Sequence, residues 1–291
     1  MAIWIAALLG IIQGIFMFLP VSSTAHMVLT EHWLLGRGHE LPDPASPEMI
    51  LFNLVVHVGT LVSIAVVFWP SLSRFTFNCA LDARDWAAAG GRRKPAVFLR
   101  LFLLGMFTVL CTGLIGLGLK ASFEWVFANP QVIALTLIGT GILLYWTDRL
   151  EPRKRGLKNT GWGTAAIIGI AQGFSLAPGL SRSAMTIVFG LFAGLKRRWA
   201  AEYSFFVAIP TILAATLVQS REVFTTGGLG DIGIGALFTG FVVSAVVGIV
   251  SLKIVIWTLY RAQLKIFAFY VWILAALILL GVVDLGGIGV D

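Results

Sequence analysis

Two stretches, LLGIIQGIFMFLPVSSTAHM over residues 8–27 and AIIGIAQGFSLAPGLSRSAM over residues 166–185, decide how this chain folds. Each is an apolar run that reaches a Gln-Gly pair, then a proline, then a cluster of hydroxyls. Displaced by 159 positions, one falls on the other: Gln13 on Gln172, Gly14 on Gly173, Ser22 on Ser181, Thr24 on Ser183 and Ala25 on Ala184. The pattern is a diverged internal repeat in which both copies break a membrane-grade apolar run. Broken backbone at membrane depth survives only where protein or a cavity surrounds it, so matching breaks in two halves mark a binding site.

The rest of the chain supplies the membrane context. Hydrophobic residues make up 58% of the 291 and charged residues 12%, with a mean hydropathy of +0.92. That balance excludes a soluble domain. Apolar runs at about 49–69, 97–119, 131–147, 200–219, 234–259 and 265–286 each approach the roughly 20 residues that cross a bilayer. The repeat segments, about 3–36 and 163–195, are read as re-entrant hairpins. The expected fold is an all-α polytopic membrane protein of six transmembrane helices and two re-entrant helical hairpins, arranged as an inverted-topology repeat. Its units are 1–147, a basic linker at 148–159, and 160–291.

Charge gives the topology. Lysine and arginine concentrate at Arg74 to Arg100, Arg149 to Lys158, Lys196 to Arg198 and Lys253 to Lys265, as short cytoplasmic loops do. The opposite loops carry Arg37, Lys120 and Arg221 with Glu31, Glu40, Asp43, Glu48, Glu124, Glu222 and Asp231. Six spans then put the second hairpin on the basic side and the first on the other, with their tips meeting near the midplane. The net charge of +7 is this topology signal and calls for no nucleic acid. The N-terminus lacks the basic region of a signal peptide and is expected to be retained. Cys79, in a cytoplasmic loop, and Cys111, in a span, have neither metal-ligand spacing nor a disulfide partner and read as inert. Trp69, Trp125, Trp146, Trp199 and Trp257 fall near span ends as interface anchors.

Arg182 is the one cation expected inside the membrane away from a helix end, and such a charge calls for an anion. Around it, PGLSRSA (178–184) breaks a helix at Pro178 and Gly179 and restarts one near Ser181. Free N–H groups at that start, with a guanidinium beside them, suit phosphate. The first hairpin offers PVSSTAH (20–26): Ser22, Ser23 and Thr24 suit helix capping, and a serine with His26 nearby equally suits nucleophilic chemistry. His57 and Asn53 share one helical face and read as supporting residues. Glu202 reads as a partner of Arg197 or Arg198.

The motif QGIFMFLPVSSTAH (13–26) resembles the EGxxEFLPVSSTGH motif of undecaprenyl pyrophosphate phosphatases, the bacitracin-resistance family, and PGLSRSA resembles their PGxSRSG. The likeness runs over nearly the whole chain. It implies a ten-helix fold and a periplasm-facing site in the bacterial inner (cytoplasmic) membrane. The implied activity is removal of one phosphate from the lipid carrier of cell-wall synthesis, with Mg2+ or Ca2+ as cofactor. Ser22, Ser23 and His26 match its catalytic positions. Arg182, Ser181, Ser183, Thr24 and Gly179 match its phosphate-binding region. The family's acids are replaced by Gln13, Met17 and Asn53, and its closing glycines by Ala25 and Ala184. Amide and thioether are poor ligands for hard cations, so no metal-ligand set is read from the sequence. Two activities stay open: hydrolysis of polyprenyl pyrophosphate, or binding and translocation of the lipid without cleavage. Association into a homodimer is also left open.

Overall fold

The computed structural model describes residues 1–44, 46–91, 94–119, 130–225, 232–261 and 263–282. Lys120, Glu124, Trp125, Asp231 and the side chain of Glu222, named above for topology or anchoring, lie outside the described residues. In chain order the helices are α1 (Ile3–Phe16), α2 (Ser23–Gly36), α3 (Pro47–Val67), α4 (Trp69–Ala88), α5 (Val97–Gly118) and α6 (Pro130–Thr147). There follow α7 (Trp162–Phe174), α8 (Arg182–Phe192), α9 (Arg197–Thr225), α10 (Ile234–Tyr260) and α11 (Lys265–Leu279). The all-α class holds: the described residues contain no strand beyond the isolated bridge of Arg155 with Leu195.

All six apolar runs become helices. By length and composition α3, α5, α9 and α10 are able to cross a membrane, and α6 and α11 are apolar but shorter. Leu110, Leu114 and Leu117 on α5 and Phe238, Val246 and Val250 on α10 are exposed, an apolar girdle that suits lipid rather than water. The hairpin arms α1, α2, α7 and α8 have 14, 14, 13 and 11 residues, so each reaches about 16–21 Å at 1.5 Å per residue, short of the ~30 Å core.

The Gln-Gly pairs explain how those arms are seated. Each glycine closes a Gly-x-x-x-Gly run, Gly10 to Gly14 and Gly169 to Gly173, the small-residue spacing that lets membrane helices approach closely. A Cβ at Gly14 would lie 2.9 Å from Val247 Cβ on α10, and one at Gly173 would lie 2.5 Å from Ile115 Cβ on α5. Thus α1 packs along α10 and α7 along α5, so each arm is held by the other half of the chain. Hydroxyls stitch the same seams: Ser251 donates to the Ile15 carbonyl at 2.6 Å, and Thr112 to the Gly169 carbonyl at 3.1 Å. Between them α6 packs on α11, and α3 packs on α9 and α10.

The basic stretches gather at one end of the bundle. Arg100 donates to the Lys158 and Thr160 carbonyls, and Asp148 accepts from Arg197 and from the Lys265 N–H. The backbones of Arg155 and Lys196 bond each other and Gly194, so α7 and α8 open from this end. The first hairpin opens from the other: Ile3 lies against Gly235 at the start of α10, and Trp4 against His39. One expectation fails here. The stretch around Cys79, read as a loop, is the helix α4, none of whose residues is buried. Leu72, Phe75, Cys79 and Asp82 repeat at helical spacing: Leu72 packs on the core, Phe75 meets Phe98 and Phe206, and Asp82 accepts from the Phe98 and Leu99 N–H groups.

Candidate functional site

The tips of the two hairpins are hydrogen-bonded to each other. Ser22 caps α2 by accepting from the Ala25 N–H, and Ser181 caps α8 by accepting from the Ala184 N–H, so two helix N-termini meet with their positive dipole ends together. Across the junction, Ser22 Oγ accepts from the Gly179 N–H at 3.1 Å, and Ser183 donates to the Leu19 carbonyl at 3.3 Å. Ser22 has φ +68°, the one positive φ at a non-glycine among the described residues. Such a conformation costs of order 1–3 kcal/mol and marks a place the surroundings over-determine. From behind, Thr136 donates to the Pro178 carbonyl and Thr140 to the Gly179 carbonyl.

This geometry separates residues that the sequence had grouped. Ser22 is buried and its oxygen serves both hairpins, whereas Ser23 is half-buried and, among the described residues, its hydroxyl bonds the Met17 sulfur alone, at 3.9 Å. At Gly179, expected in the phosphate-binding region, the N–H is donated to Ser22, and the Ser181 N–H goes to Thr140. The groups left for an anion are the Arg182 and Ser183 N–H groups, which have no intrahelical acceptor, and the Arg182 guanidinium. The buried Nη1 and Nη2 of Arg182 have no hydrogen-bond partner. Thr24 is exposed beside Ser23.

His26 does not bond either serine hydroxyl. Its Nδ1 lies 2.7 Å from the Ser22 carbonyl, which only accepts, so Nδ1 carries the proton; in the neutral ring Nε2 then accepts from the Tyr270 hydroxyl at 2.7 Å. Phe16 stacks on the ring at 3.7 Å between centroids. His57 is fixed likewise, Nδ1 to the Asn53 carbonyl at 2.6 Å.

The positions of the replaced acids divide. Gln172, the repeat mate of Gln13, donates to Thr112 and Thr211 and is structural. Gln13 donates to the Met17 sulfur and leaves Oε1 buried and unpartnered. Asn53 donates its amide to Glu31 and leaves Oδ1 buried and unpartnered. Glu31 is a second correction. Read as an outer-loop acid, it lies on the buried face of α2 with Met27 and Leu34, 2% exposed, and its Oε1 has no partner. The spacing of residues 27, 31 and 34 carried that signal, but charge counting overrode it. Tyr270, Thr136 and Thr140 were also passed over, as single polar residues in apolar spans. Glu202 accepts from Arg198 at 2.8 Å, as read.

The fold and these tips define the class: an all-helical polytopic membrane protein with two broken hairpins crossing at a buried, unpartnered guanidinium. A family model described as bacitracin resistance protein BacA matches residues 6–277. The undecaprenyl-diphosphatase of Halorhodospira halophila is 71% identical over 98% of this chain and 99% of its own length. That of Alkalilimnicola ehrlichii is 68% identical over 98% of each, and that of Alkaliphilus metalliredigens 34% over 94% and 97%. The chain belongs to the BacA bacitracin-resistance family.

Proposed function

We propose that this chain hydrolyses undecaprenyl pyrophosphate, releasing inorganic phosphate and undecaprenyl phosphate. The observation that carries the proposal is Arg182, a buried guanidinium with two unpartnered nitrogens at the start of α8, in the hairpin tip that is hydrogen-bonded to the start of α2. Relatives spanning the same length and named undecaprenyl-diphosphatase support the choice of hydrolysis over translocation.

In this reading the α8 N–H groups and Arg182 hold the pyrophosphate, with Ser181 and Ser183 shaping the turn and Thr24 at its rim. Ser23 is the attacking hydroxyl: its Oγ bonds the terminal phosphorus as its proton passes to a phosphate oxygen, the phosphoanhydride breaks, and polyprenyl phosphate leaves; water then hydrolyses the Ser23 phosphoester, returning the proton to Ser23 Oγ and releasing inorganic phosphate. Ser22 holds the hairpins together, and His26 and Tyr270 orient the α2 tip. A divalent metal ion fits this chemistry and would neutralise phosphate charge when bound. Among the described residues no group of three His, Cys, Asp or Glu is placed to hold one, and the residues present do not make up a metal-ligand set.

The hairpins opening from opposite ends support two inverted repeats, 1–147 and 160–291, joined by the linker 148–159. The gathered basic loops support a cytoplasmic face at that end and a site reached from the periplasm of the inner membrane. The test is phosphate release from undecaprenyl pyrophosphate by the purified protein. Turnover by the native chain that disappears in Ser23→Ala and Arg182→Ala is expected; equal release by Ser23→Ala overturns the nucleophile.

A further inference from the structure

The basic end of the bundle holds a cavity that the hairpin tips do not reach. It measures about 610 Å3 and is walled by Arg155 and Asn159 before α7, by Gly161, Gly163, Thr164 and Ile167 at the start of α7, and by Ala193 after α8. A second cavity, of about 410 Å3, shares Arg155 and Ala193 with the first and adds Arg153 and Lys154. Among the described residues, three cations line the pair and no carboxylate does.

The groups that face this space suit an anion. Gly161 is the N-cap of α7 and supplies no capping side chain, so the N–H groups of Trp162, Gly163 and Thr164 lack an intrahelical acceptor, the arrangement that binds phosphate. Glycine at 161 and 163 leaves those amides uncovered, since a Cβ added at either would meet nothing within 4 Å. Thr164 lines the cavity and is only 7% exposed, yet its hydroxyl has no hydrogen-bond partner among the described residues. A hydroxyl withdrawn from water without a partner is costly, and one that faces a cavity is satisfied by what enters it. Arg155 donates Nη1 to the Ala193 carbonyl at 3.2 Å, which fixes its guanidinium at the cavity wall with further N–H groups left for a charge-assisted bond. The buried Nε of Arg153 is unpartnered as well.

The helix below the cavity indicates what enters it. Gly163, Ile167, Ile170 and Phe174 are spaced four, three and four residues apart and so share one face of α7. The three apolar side chains are exposed, and so is Trp162 beside the cavity, an aromatic residue of the kind found where headgroups begin. This stripe starts in the cavity wall and descends about 16 Å, at 1.5 Å per residue, toward the hairpin tip. A free anion would leave the stripe bare. A lipid covers both parts, with its phosphate in the cavity and an acyl chain along α7, and basic pockets between helices hold lipid headgroups in this way.

We propose that the start of α7, with Arg153, Arg155 and Thr164, binds the phosphate headgroup of an anionic membrane phospholipid at a site separate from the hairpin tips. The bound headgroup ties the segment at 152–155 to the N-terminus of α7. It does so whether or not the tips take pyrophosphate.

The experiment is native mass spectrometry of the full chain in detergent, titrated with phosphatidylglycerol and, separately, with phosphatidylcholine of the same acyl chains. The native protein is expected to bind phosphatidylglycerol at least about 10-fold more tightly, the effect of one charge-assisted hydrogen bond or more. Arg155→Gln removes the guanidinium. Gly163→Glu enters open space and suits the positive end of the helix, but sets a carboxylate where the phosphate would sit. Both variants are expected to lose the preference, and Gly163→Glu decides the matter if Arg155→Gln fails to fold. Equal affinity for the two lipids in the native chain, or native phosphatidylglycerol affinity in Gly163→Glu, overturns the proposal. Displacement of phosphatidylglycerol by inorganic phosphate beyond that by chloride of equal ionic strength overturns the lipid in favour of a free anion. A preference lost in Arg182→Ala but kept in both α7 variants puts the lipid at the hairpin tips and overturns it too.

Discussion

Ser22 and Ser23 are adjacent and chemically identical, and the structure gives them opposite tasks. Replacing Ser22 by alanine removes the cap of α2, which costs about 1 kcal/mol. It also strands the buried Gly179 N–H that Ser22 Oγ accepts at 3.1 Å, worth a further 1–3 kcal/mol or so. The expected loss is about 2–4 kcal/mol, and at about 2 °C per kcal/mol for a chain of this size the melting temperature falls by roughly 4–8 °C. Ser22→Gly loses the same oxygen but relieves φ +68°, so it is expected to recover about 1 kcal/mol of that loss. Ser23→Ala surrenders only a 3.9 Å contact with the Met17 sulfur and is expected to melt within about 1 °C of the native chain, as substitutions without a buried partner do. Tryptophan-monitored melting of the three detergent-solubilised variants, beside phosphate release, reads both tasks. The ranking of melting points is Ser23→Ala above Ser22→Gly above Ser22→Ala, with turnover lowest in Ser23→Ala. A Ser22→Ala protein that melts like the native one refutes the cross-link; a Ser23→Ala protein that turns over normally refutes the attack.

Three further outcomes follow from other contacts. Gly173→Ala drives a Cβ to 2.5 Å from Ile115 Cβ and is expected to destabilise by about 1–3 kcal/mol through overpacking; an unshifted melting curve would show that α5 and α7 do not pack this closely. Arg182→Ala removes charge-assisted hydrogen bonds worth about 1.5–3 kcal/mol each, so binding of a labelled polyprenyl phosphate should weaken by roughly 100-fold, with Arg182→Lys falling between because a point charge cannot replace the bidentate fork. In the linker, burial raises the Asp148 carboxyl above its ordinary 3.8, outweighing the Lys265 N–H and the charge of Arg197 that favour its ionised form. The folded state then holds this proton more tightly than the unfolded one, so its contribution to stability declines as pH rises from about 4; Asp148→Asn should flatten that part of a stability–pH curve measured by denaturant unfolding, and an unchanged slope would refute the burial.

The acids show where reading charge along the chain misleads. Glu202 lies four residues from Arg198 on one helix, and a local rule pairs them correctly. Counted along the chain, Glu31 falls with the acids of the outer loops, yet α2 turns it inward to Asn53, which is far along the sequence. Cys79 erred in the opposite direction: basic residues suggested a loop, and the i, i+3, i+4 stripe of Leu72, Phe75, Cys79 and Asp82 made a surface helix.

What the sequence determined alone are the features that arise within a single segment. Apolar length sets the six helices, Pro and Gly set where the hairpins break, Ser22 and Ser181 set where the next helices begin, and Arg182 is marked by the cost of its charge in an apolar run. Tertiary structure decided which partner each polar group takes. Gly14 and Gly173 proved to be contact points only when α10 and α5 came against them, Ser22 became a cross-link only when Gly179 met it, and Glu31 gained a partner only when Asn53 came beside it. Helix and turn formation depend on neighbours a few residues apart, whereas a buried donor or acceptor is satisfied by whatever the fold brings near, and that is not written in the residues beside it.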